Sequence, residues 1–113
     1  MGKGEGYCKV VAIVRGESLE NVEQRLQQLG VPGITVTCVK GYGEYADFYS
    51  RDCMTEHVRV EIFTSAARAE NVAQGIIDAA HSGVAGDGIV AVLPVSKIYR
   101  IRQRAEIRPE QFE

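Results

Sequence analysis

Residues able to do chemistry gather in three short stretches of this 113-residue chain. In SGVAGDGIVAVL, Ser82 to Leu93, Gly83, Gly86 and Gly88 surround Asp87 just ahead of an apolar run. Glycines so placed let the backbone turn left-handed and bring successive N–H groups close to an anion, as phosphate cradles do. A plain turn at a helix-to-strand junction would use the same residues. In YRIR, Arg100 and Arg102 lie two apart. On an extended segment they share a side roughly 7 Å apart, a spacing at which two guanidinium groups clamp adjacent phosphates. Charges that keep an edge strand from aggregating would look alike. In HVRVEIF, His57 and Arg59 pose the same choice between an anion and a neighbouring carboxylate such as Glu61. No Ser/His/Asp or Cys/His arrangement and no metal-ligand cluster stands out, so binding is expected and turnover is not.

The elements that must position these residues follow from hydrophobic periodicity. YCKVVAIV, residues 7–14, is an apolar, β-branched run without clear alternation, which predicts a central strand covered on much of both faces. Leu19, Val22, Leu26 and Leu29 then recur at helical spacing, with Ser18 placed to cap the helix start and Gly30 to end it. ITVTCVK, residues 34–40, alternates as a second strand with Ile34, Val36 and Cys38 on one face. Cys38 and Cys8 read as small core residues. Residues 41–56 lack periodicity and form an exposed loop in which Cys53 is a candidate redox thiol. HVRVEIF alternates strictly as a third strand, and residues 66–81 make a second helix along Ala69, Val72, Ala73, Ile76 and Ala80. His81 suits the C-terminal end of that helix dipole. IVAVLPV is a fourth strand, and SKIYRIRQR alternates as a further extended segment. QLGVPGITV and HSGVAGDGIVAV, each following a helix, echo one another. A doubled βαβ unit predicts a single domain over residues 1–113: the ferredoxin-like βαββαβ α+β sandwich, an antiparallel sheet with both helices on one face.

Composition narrows the partners. Thirteen basic against 15 acidic residues leave a net charge of −2, so no broad positive field exists for nucleic acid and any anion site is local. Three cysteines without a CxxC pair argue against a disulfide framework or zinc, and a reducing cytoplasm is expected. No apolar run reaches membrane-span length, and MGKGEGY lacks a signal peptide's apolar core.

In this order the motifs resemble the PII signal-transduction proteins over nearly the whole chain. TVTCVKGYG, residues 35–43, is similar to the family's TVTEVKGFG, HVRVEIF to KVKIEIV, SGVAGDGIVAV to TGKIGDGKIFV, and YRIR to IRIR. The resemblance implies a homotrimer with adenine nucleotides in clefts between subunits and a long loop that reports ligand state to a protein partner. Gly86, Asp87 and Gly88 match the phosphate-loop residues, and Arg100 and Arg102 match two arginines that meet phosphate from the other side of the cleft. Gly41 and Gly43 match glycines at the base of the signalling loop, Thr35 matches a nearby threonine, and His57 stands where the family has a lysine.

The departures shape the expected ligand. Ile89 replaces the lysine after GDG, and Glu44 and Tyr45 replace Arg-Gln after KGFG. Two cations near the distal phosphates are thereby lost and a carboxylate is added, so ADP or AMP is expected to bind in preference to ATP. Tyr45 displaces the glutamine that helps hold magnesium and 2-oxoglutarate in keto-acid-sensing members. Residues 44–56 form a shortened loop, and the flanks of Tyr45 and Tyr49 do not match a modification site. These features resemble the divergent PII-like branch linked to bicarbonate transport and carboxysomes, where the partner is a transporter or carboxysome component. Bicarbonate is then the implied second ligand, held by His57, Arg59 or a phosphate-site arginine. The alternatives are a nitrogen regulator sensing ATP and 2-oxoglutarate, or a weak ATPase on the same fold. The tail, residues 103–113, carries Pro109 and many charges and is expected to be mobile without ligand.

Overall fold

The computed structural model describes residues 6–41 and 55–108. Its elements run β1 (Tyr7–Arg15), a 3-10 turn (Gly16–Ser18), α1 (Leu19–Gln28), β2 (Thr35–Gly41), β3 (Thr55–Ser65), α2 (Ala66–Ala80) and β4 (Gly88–Val95), followed by β5 (Tyr99–Arg100) and β6 (Ala105–Glu106). The four long strands form one antiparallel sheet in the order β2-β3-β1-β4, and β5 and β6 pair separately. The expected ferredoxin-like sandwich is therefore present, with β1 in its interior as its unbroken apolar run requires.

One face of the sheet makes the core. Val10, Ala12 and Val14 of β1 and Val58, Val60 and Ile62 of β3 point to Val22 and Leu26 of α1 and Val72 and Ile76 of α2, and all are buried. Each such aliphatic side chain removed from water contributes roughly 1.5–3 kcal/mol, which fixes both helices on this side. Gly30 ends α1 as expected. At φ +81° it donates to Gln27 O at 3.0 Å while Val31 N donates to Leu26 O at 3.0 Å, the paired bonds of a Schellman motif. Ser18 does not cap: it lies in the 3-10 turn with helical backbone angles and its side chain makes no cap bond.

Three expectations change. Cys38 is exposed, because β2 is the edge strand and the helices cover the centre of the sheet rather than its rim; Cys8 is half-buried against the core. The loop after β2 stops short of residue 56, since β3 begins at Thr55. The start of the tail is folded. Residues 101–104 turn, with Gln103 N bonded to Arg100 O and Arg104 N to Ile101 O, both at 3.1 Å, and Ile107 is buried, its N–H on Ile98 O and its carbonyl accepting from the Tyr7 hydroxyl. Gly43, Tyr45, Tyr49, Cys53 and Pro109 lie outside the described residues.

Candidate functional site

Between α2 and β4 the chain reverses through residues 82–87, and Asp87 folds back to organise the turn. Its carboxylate accepts from Ser82 N at 2.8 Å, from Gly83 N at 2.9 Å and from the Ser82 hydroxyl. Arg15, the last residue of β1, adds Nε at 3.5 Å from Asp87 Oδ1 and donates from Nη2 to Ala85 O at 2.6 Å. The Ser82 hydroxyl first, then the Ser82 and Gly83 amides and Arg15, hold the Asp87 carboxyl far below the usual carboxylate range, against a smaller opposing effect of burial.

A carboxyl depressed in the folded state contributes stability above its unfolded pKa, near 4, and loses that contribution as pH falls through the folded value. Asp87→Asn is therefore expected to melt below wild type at pH 6, with the gap narrowing below about pH 4. Melting temperatures of both proteins from pH 6 to 2 check this, and a gap that widens on acidification would contradict it.

Two glycines set the loop's path. Gly86 is buried at φ +100°, and Gly88 at φ +110° starts β4 opposite Val14. His57, 4% exposed on β3 and in register with Arg15, places Nε2 3.2 Å from Gly86 O. The carbonyl can only accept, so Nε2 is the donor. Gly41 ends β2 near the same end of the sheet, two rungs past the Val39–His57 pair. His57, Gly86, Asp87 and Gly88 thus lie together at the end of the sheet where Gly41 closes the edge strand β2.

The remaining candidates lie elsewhere. Arg59 bonds Glu61 at 3.0 Å, and Lys9 pairs with the same carboxylate, so of the two readings of Arg59 the neighbouring carboxylate holds. Lys9 and Arg59 lower the Glu61 pKa. Thr35 stands opposite Glu61, and both line a groove of about 520 Å³ with Phe63, Tyr99 and Arg100. Arg100 sits beyond the Val95 end of β4, whereas the glycine loop adjoins its Gly88 end. The rung of Glu61 runs through Val11 to Ala91, three residues along β4 from Gly88, so Arg100 and the loop meet different parts of the sheet. Arg102 does not share Arg100's strand face: β5 stops at Arg100 and Arg102 lies in the turn. The tail's alternation was a false strand signal, because a turn closed by backbone bonds with Arg104 at φ +55° needed no glycine to mark it.

Arg15 is the residue that sequence reasoning passed over. An arginine closing a central apolar strand is the one available signal, and its partners lie some 70 positions away. Among the described residues no group of three or more His, Cys, Asp or Glu could hold a metal ion.

The architecture is that of a ferredoxin-like α+β sandwich whose candidate site is built of glycine backbone, arginines and a histidine. Comparison with known families matches residues 7–105 to Nitrogen regulatory protein P-II, and the chain belongs to that family of signal-transduction regulators. It is 37% identical over 105 residues to Nitrogen regulatory protein GlnK2 of Haloferax mediterranei, covering 86% of this chain and 85% of that one. With Nitrogen regulatory protein P-II of Cyanidium caldarium it shares 38% identity over 103 residues, 85% of this chain and 91% of the other. The chain spans 53% of the length of the P-II homolog of Arabidopsis thaliana. Among solved structures, Arabidopsis thaliana PII bound to citrate superposes with a TM-score of 0.78 at 33% identity, over 90% of this chain and 86% of that one. The relatives are named as regulators, not as enzymes.

Proposed function

We propose that this P-II protein binds adenine nucleotides, ADP or AMP in preference to ATP, in clefts between the subunits of a homotrimer, and that residues 44–54 carry the ligand state to a protein partner. The supporting observation is that Arg100, in the separate β5–β6 pair, and the glycine loop, at the Gly88 end of β4, stand on different elements of one chain. Both match phosphate-contacting residues of the family, and in the proposed trimer each cleft takes its loop from one subunit and its arginine from the next. The preference for fewer phosphates rests on Ile89: half-exposed at the start of β4 opposite Ile13, it offers no cation beside the loop. Bicarbonate serves as second ligand at a phosphate-site arginine, since Arg59 is committed to Glu61 and the buried His57 to Gly86 O. The citrate bound by the Arabidopsis relative, itself a small carboxylate anion, is in keeping with such a ligand. The partner is a transporter or carboxysome component, and the setting is cytoplasmic. Among the described residues no helix is long and apolar enough to cross a membrane.

Calorimetric titration with AMP, ADP and ATP, each with and without bicarbonate, tests the reading. ADP is expected to bind about tenfold more tightly than ATP, a difference near 1.4 kcal/mol, and Ile89→Lys is expected to close that gap. ATP binding that depends on 2-oxoglutarate and magnesium would replace the proposal with nitrogen sensing, the role that the relatives' names carry. Silence with every nucleotide would remove it.

A further inference from the structure

The carbonyls of Ala85 and Gly86, two successive residues of the glycine loop, are both taken by side chains from the sheet. Arg15 Nη2 of β1 donates to Ala85 O at 2.6 Å, and His57 Nε2 of β3 is 3.2 Å from Gly86 O. The peptide bonds are trans, and in a trans peptide the C=O and N–H point in opposite directions. With both carbonyls drawn toward Arg15 and His57, the N–H groups of Gly86 and Asp87 face away from the two side chains. Turning two consecutive peptides the same way requires an unusual backbone angle between them, and Gly86 supplies it at φ +100°. Its missing side chain also makes room for the clamp, since a Cβ there would lie 2.8 Å from Arg15 Nη2. The amides of Ser82 and Gly83 are spent on the Asp87 carboxylate; those of Gly86 and Asp87 are not among its donors. A pair of N–H groups aimed in one direction is the minimal anion nest.

Resting on the nucleotide reading above, we propose that Arg15 and His57 are positioning residues that hold the Ala85 and Gly86 carbonyls so that the Gly86 and Asp87 amides donate to a ligand phosphate. They act from behind the loop and do not touch the ligand. His57, grouped with the nucleotide contacts on sequence grounds, thereby takes an indirect role. Asp87 has three donors from Ser82 and Gly83 and only a 3.5 Å approach from Arg15 Nε, longer than the usual charge-assisted bond, so the stronger hold of Arg15 is on Ala85.

Amide NMR of the whole protein with added ADP, pyrophosphate and adenosine is the test. In wild type, ADP and pyrophosphate are expected to shift the Gly86 and Asp87 amides strongly and those of Ser82 and Gly83 little. Arg15→Met is expected to lose roughly tenfold in ADP affinity with adenosine affinity unchanged, and Arg15→Lys, which keeps a donor for Ala85 O, to stay within about threefold of wild type. ADP binding to Arg15→Met at wild-type strength would overturn the proposal while leaving the nucleotide reading intact. So would equal losses for ADP and adenosine, the mark of a merely structural role. If Arg15→Met does not fold, the wild-type shifts decide, since shifts centred on Ser82 and Gly83 contradict the aimed pair. A wild type that binds neither ADP nor pyrophosphate removes both proposals.

Discussion

Gly88→Ala is expected to destabilise the protein by roughly 3–5 kcal/mol, because two penalties fall on one residue. At φ +110° an alanine is strained by about 1–3 kcal/mol. Its Cβ would also lie 1.7 Å from the Ile13 carbonyl oxygen and 2.8 Å from that carbonyl carbon. These are backbone atoms of the central strand, so no side-chain rotation relieves the clash, and β4 has to move off β1 at the Val14–Gly88 pair. Gly75 makes an instructive contrast: a Cβ there meets Leu29 Cδ1 at 2.6 Å, the far end of a side chain that can turn aside. Urea unfolding of Gly88→Ala should show a markedly lower midpoint. A loss below 1 kcal/mol would mean that the β1–β4 register is not the one described.

Arg100→Ala is expected to leave the melting temperature nearly unchanged and to weaken ADP binding 30- to 100-fold, about 2–3 kcal/mol for a lost charge-assisted contact to phosphate. The arginine is exposed in the β5–β6 hairpin, so folding does not depend on it. If the cleft joins two subunits, the variant is also complementable. Refolding an equal mixture of Arg100→Ala and Gly86→Ala chains should restore about one cleft in four, where an intact loop from one chain meets an intact arginine from its neighbour. Recovery of no tight sites would place both halves of the phosphate site on one chain, against the inter-subunit cleft proposed above.

The fold was legible where periodicity alone decides. The unbroken VVAIV announced an interior strand, the alternation of Val58, Val60 and Ile62 gave β3 its core face, and Leu19, Val22 and Leu26 placed α1. Cys38 misled because alternation tells which residues share a face but not how far the helices extend over it. The tail misled because Ile98, Arg100 and Arg102 mimic a strand, while the turn at 101–104 is closed by backbone bonds that leave no mark on composition. At the site, the glycine loop and His57 were readable from local motifs. The clamp of Arg15 on Ala85 was not, since it exists only after β1 and β4 have paired and brought positions 15 and 85 together.

That pairing also sets an order of events as the chain is made. β1 emerges first, yet its two partners are β3, residues 55–65, and β4, whose Val95 lies opposite Tyr7. Nearly the whole chain must leave the ribosome before both edges of this earliest strand are hydrogen-bonded. Long-range pairing of this kind is slow, because loop entropy is lost before the contacts that compensate it form. Until then β1 is an open, sticky edge, and the helical segment that follows it, with Val22 and Leu26, is the nearest cover it can find.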